Sequence, residues 1–157
     1  MSAPHVPVTS STHALAVTMY VGMIVLGFSH AAGIISSRAI QEVLTSPWEE
    51  IWVGLHLIAP IMAATGAVMA ARRRLPIYSM SAELVGCGIF AITKATYVIS
   101  LYTVYGLAGG PSTQIMGAGI AIGCAARATQ VGLELSRLVA AARATTSPEP
   151  ATAPPGR

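Results

Sequence analysis

Four mostly apolar runs make up most of the chain, separated by short polar segments. They cover residues 14–35, 51–71, 82–104 and 113–139. Each offers about 20 residues or more, the length a helix needs to cross the hydrocarbon core of a bilayer. No stretch alternates with the period of a strand, and no Asn-Gly hairpin, GxGxxG or Walker pattern interrupts the runs. The pattern predicts an all-α polytopic membrane protein with a four-transmembrane-helix bundle over 14–143. The first run is too long for a signal-peptide core of about 7–15 residues, and no Lys or Arg precedes it. It reads as a retained helix. Segments 1–13 (with Pro4 and Pro7) and 144–157 (rich in Pro, Thr and Ala) lack apolar periodicity and are expected to be disordered tails.

Composition agrees with the pattern. Of 157 residues, 54% are hydrophobic and only 10% are charged, against about 25% charged in soluble domains. The net charge of +3 comes from arginines that flank the runs, so it speaks for membrane topogenesis and against nucleic acid. Arg72, Arg73 and Arg74 lie between the second and third runs, and Arg137 and Arg143 close the fourth. The first connection sets Arg38 against Glu42, Glu49 and Glu50, and the third carries no charge. The positive-inside rule therefore predicts both termini in the cytoplasm. Trp48, Trp52, Tyr102 and Tyr105 would then fall at the outer interface. The first connection predicts a short surface helix, with Ile40, Val43 and Leu44 toward lipid and Arg38, Gln41 and Glu42 toward water, ending at Ser46-Pro47.

Helices in lipid associate where small side chains let backbones approach. Gly119 and Gly123 form a GxxxG, which Gly117 and Ala126 extend. Ala63, Ala67 and Ala70 line one side of the second run, and Gly88, Ala91 and Ala95 one side of the third. Pro60 predicts a kink that frees the carbonyl of His56.

Two groups of residues are candidates for chemistry. Glu83 and Lys94 stand eleven apart, on one face of the third run, and Arg127 and Glu134 stand seven apart, on one face of the fourth. Together they predict a polar seam, either lining an aqueous path or reduced to one salt bridge with the remaining charges snorkelling. His30 and His56 should lie at matching depth, about 7–8 Å inside the outer boundary. They are weak metal or haem ligands at best, because no further ligand accompanies them, and hydrogen bonds to backbone or water are the simpler expectation. Cys87 and Cys124 have no metal-site spacing and read as small buried side chains.

There is no Asp, no Ser/His/acid arrangement and no carboxylate pair in a polar loop, so neither enzymatic activity nor a cofactor is expected. In layout the chain resembles holin-type phage lysis proteins: four short spans, the smooth Gly117, Gly119 and Gly123 face, Arg127 within a span, and the Arg72, Arg73 and Arg74 turn. It departs from many of them in a tail that is nearly neutral after Arg143. The resemblance implies a homo-oligomer in the lipid bilayer of the bacterial host's inner membrane. Such an oligomer opens a pore there and works with a cell-wall hydrolase in host cell lysis. An accessory or scaffolding subunit of a larger membrane complex is the alternative. A small haem-binding redox subunit using His30 and His56 is a further one.

Overall fold

The computed structural model describes residues 10–34, 38–72, 75–106 and 111–146, with side chains from Ala16 to Ala144. Among these residues there are five helices and no strand: α1 (Ser10–Ala31), α2 (Arg38–Val43), α3 (Trp48–Ala71), α4 (Pro76–Tyr105) and α5 (Pro111–Thr146). Arg73, Arg74 and the segments 1–9 and 147–157 lie outside the described residues.

The helix ends differ from the apolar runs for local reasons. α1 begins at Ser10, inside the expected tail, in a Ser/Thr cluster of the kind favoured at helix N-termini. It stops at Ala31 rather than at residue 35. Gly33 takes a positive φ of 69°, its N–H bonds the carbonyl of His30, and the Ile34 N–H bonds that of Ser29. That pairing is a Schellman stop, which holds His30 in the last turn. α4 starts six residues before the third run because Pro76 occupies its first turn, where a missing N–H costs nothing. α5 continues past Arg143 to Thr146 and measures about 54 Å at 1.5 Å per residue.

The most extensive helix packing joins α1 to α3, α3 to α4, and α4 to α5, and Tyr20 of α1 also reaches α4. The core joins Tyr20 and Met23 of α1 to Ala59, Ala63 and Ala67 of α3, Cys87 and Phe90 of α4, and Cys124 of α5. α3 and α4 cross almost backbone to backbone. A Cβ added at Gly86 would lie 2.5 Å from the Ala63 nitrogen, and one at Gly66 would lie 2.5 Å from the Glu83 nitrogen. The smooth strip of α4 is therefore the one around Gly86. Gly88 has open space around it, so it does not serve the α3 crossing; Ala91, on the same face, packs against the core, and Leu84 and Val98 on that face meet Gly132 and Gly117 of α5. Pro60 lies buried inside α3. The His56 carbonyl that it frees meets α1, where a Cβ at Gly27 would fall 2.6 Å away.

The short connecting helix α2 is present with Arg38, Gln41 and Glu42 exposed as expected, but Ile40 turns into the bundle rather than outward. Ala39 and Ile40 are buried and the helix packs on α4.

Two helices, α3 and α4, are long and apolar enough to cross a membrane, and residues Ala16–Ala31 of α1 form a shorter apolar stretch. Only about a third of the apolar stretch is buried in each (33% and 39%). Val21, Val25, Phe28, Ile58, Ile92 and Ile99 are among the exposed side chains. Apolar surface of this extent on several helices points to membrane association. α5 falls short of the same criterion, since Ala and Gly are weakly apolar and Arg127 interrupts it.

Candidate functional site

The four residues of the predicted seam, Glu83, Lys94, Arg127 and Glu134, separate into a hydrogen-bonded group and Lys94. Glu83, only 2% exposed, receives Arg127 through Nε at 2.8 Å and Nη2 at 2.7 Å, both on Oε1. The Tyr20 hydroxyl of α1 donates to the same oxygen at 2.7 Å and lies 3.3 Å from the Cys87 sulfur. Three donors on one carboxylate oxygen offset the cost of burying its charge. The network continues outward along α5 through longer bonds. Arg127 Nη1 donates to Gln130 at 3.3 Å, and Gln130 Nε2 donates to Glu134 at 3.4 Å.

Lys94 does not join this group. Eleven residues place it about 16 Å along α4 from Glu83, beyond reach of the pair. It is 3% exposed, and its Nζ lies 5.4 Å from the ring centroids of both Phe90 and Tyr97. The predicted seam thus brings together Glu83, Arg127 and, through Gln130, Glu134.

Lys94 borders an aromatic cluster instead. His30 and His56 meet edge to face with centroids 5.2 Å apart. Trp52 lies 4.4 Å from His56 and 5.4 Å from His30, and Phe90 lies 4.9 Å from His56. The Trp52 indole donates to the Thr93 carbonyl at 3.1 Å, which fixes its ring. Trp52 is therefore part of the bundle interior rather than of an interfacial belt, unlike Trp48, which is exposed. Bis-histidine haem ligation does not fit, because a porphyrin would have to pass between two rings that already touch. Among the described residues no three His, Cys, Asp or Glu side chains converge on a metal position.

Sequence reasoning missed Tyr20, Cys87, Gln130 and the aromatic partners of Lys94. Phe90 and Tyr97 were accessible to it, standing four residues before and three after Lys94, the spacings that meet on a helix face. Tyr20 contributes through a contact between distant segments, which spacing does not reveal.

Comparison with known protein families, curated proteins and solved structures finds no match. Chemistry must be read from the geometry alone.

The glycines divide clearly. A Cβ at Gly117 would meet the Val98 side chain at 2.8 Å, whereas those at Gly119 and Gly123 would meet nothing within 4 Å. The seam that α5 buries against α4 runs through Gln114, Gly117, Cys124 and Val131. On a helix of 3.6 residues per turn, Gly119, Gly123, Ala126, Gln130, Glu134 and Arg137 share a different face. All six are exposed.

Proposed function

We propose that the chain is a holin-type protein of a bacterial inner membrane. In this reading α1, α3, α4 and α5 cross the bilayer with both termini in the cytoplasm, and protomers associate through the open face of α5. The unopposed pair Gly119 and Gly123 carries the proposal: the monomer presents a smooth backbone surface that its own helices do not use. Lipid tails gain little from such a surface, whereas a second helix packs closely on it. The weak hydropathy of α5 supports the same reading, because a helix with one protein neighbour and a small-residue exterior is better covered by protein than by lipid.

In this topology Glu83 lies seven residues, or about 10 Å, from the cytoplasmic end of α4, and Glu134 lies about 35 Å from the outer end of α5. The Arg127, Gln130 and Glu134 ladder then leads from the buried pair toward the cytoplasmic surface. It supplies a polar edge to the face that neighbouring protomers would share.

Induced expression in a bacterial host, followed with a potential-sensitive dye, tests the reading. Depolarisation, and lysis when a cell-wall hydrolase is co-expressed, are expected. An unchanged potential together with a monomer in mild detergent would sink it, and the α5 face would then serve to dock an accessory subunit onto another membrane protein.

A further inference from the structure

His56 and Lys94 remain unexplained by self-association. His56 is fully buried and neither Nδ1 nor Nε2 has a hydrogen-bond partner. A neutral imidazole carries one N–H donor and one acceptor, and native interiors leave few such groups unmade. Lys94 is nearly as deeply buried. Among the described residues no carboxylate lies within ion-pair distance of its ammonium, since the buried Glu83 is taken by Arg127. Phe90 touches both groups, with Nζ 5.4 Å and the His56 centroid 4.9 Å from its own centroid.

We infer that Lys94 and His56 form a binding site for a small monovalent anion of the halide class. Lys94 meets ring faces but, among the described residues, no carboxylate, and a positive charge of this kind favours an anion and repels metal cations. His56 supplies the N–H donor and Lys94 the charge. Size follows from the walls. Rings 4.4 to 5.4 Å apart are in contact, so a headgroup or planar ligand would have to displace one of them, which confines the proposal to a single small ion. The site is built from α3 and α4 of one protomer, so it does not depend on association through α5.

Trp52, packed on His56, is a built-in reporter, because heavy halides quench indole on contact. The chain has two tryptophans, and Trp48→Phe leaves Trp52 alone. Bromide is titrated against this variant in mild detergent, replacing gluconate at constant ionic strength. Saturable quenching is expected, and added chloride should shift the bromide curve to higher concentration. Lys94→Met should raise the half-saturating bromide at least about tenfold, the loss of one charge-assisted contact, while Lys94→Arg keeps binding and His56→Phe weakens it. Quenching that grows linearly with bromide, or a saturable curve indifferent to chloride or to Lys94→Met, overturns the site. The chloride competition needs no substitution at Lys94, so the test holds even if Lys94→Met does not fold.

Discussion

Arg127 reaches Glu83 with two nitrogens on a single oxygen, Nε at 2.8 Å and Nη2 at 2.7 Å from Oε1. The partners are unequal. Glu83 is buried, whereas the Arg127 side chain is 27% exposed and lies at the edge of the open α5 face. The carboxylate therefore depends on the guanidinium more than the reverse. Tyr20 brings a third helix to the same oxygen, so one carboxylate ties α1, α4 and α5 together.

Removing Arg127 leaves that carboxylate buried with only the Tyr20 hydroxyl. Arg127→Leu should destabilise the folded protein by about 3–5 kcal/mol, whereas Glu83→Leu combined with Arg127→Leu should recover most of the loss, since a buried pair replaced by apolar side chains is often neutral. Thermal unfolding in mild detergent of the single and double variants measures the coupling. An unaltered melting temperature in Arg127→Leu would show that Arg127 merely snorkels.

The α3–α4 crossing should tolerate nothing larger than glycine at two positions. At Gly86 and Gly66 an added Cβ meets backbone rather than a movable side-chain tip, so the helices must part. Gly86→Val should cost at least about 1–3 kcal/mol, in the range of overpacked cores, and deplete folded protein on size exclusion. Gly88→Val, two residues away with open space around it, serves as the control and should leave the elution profile unchanged.

The sequence made the helices legible, but not the way each one faces. Long apolar runs set between arginines and prolines announce α1, α3, α4 and α5, because helix existence follows from composition over many residues. Which side of α4 meets α3 is a tertiary matter. Gly88 and Gly86 look alike in sequence, and only the crossing with Ala63 and Ala59 selects Gly86. The same holds for the site. Glu83 and Arg127 stand out as charges in apolar runs, yet Tyr20, 63 residues from Glu83, has no signature beyond its hydroxyl. Lys94 shares a face with Glu83 on the helical wheel. The rise per residue, which a wheel omits, separates them.

Orientation rests on few charges. The connection between α3 and α4 holds Arg72, Arg73 and Arg74, and no other connection has a comparable excess. Reporter fusions after Arg74 and Arg143 should read cytoplasmic, and a fusion near Glu42 should read external. Neutralising all three arginines should give mixed orientation. An external reading after Arg74 in the unaltered chain would reverse every depth assigned to Glu83, Arg127 and the aromatic cluster.

Self-association turns on Gly123, which has open space in the monomer. Valine there adds an isopropyl group whose Cβ meets nothing within 4 Å in the chain itself, so the monomer should insert and melt as before, apart from the small helix-propensity change expected at such a site. Between protomers the same methyls hold the backbones apart. Gly123→Val should therefore abolish cross-linked oligomers and membrane depolarisation together while abundance stays constant. Gly117→Val is the contrasting case, because its side chain would press on Val98 within the monomer and should lower abundance instead. Oligomers that survive Gly123→Val undiminished would mean that protomers meet elsewhere. Depolarisation that survives without oligomers would separate permeabilisation from association altogether.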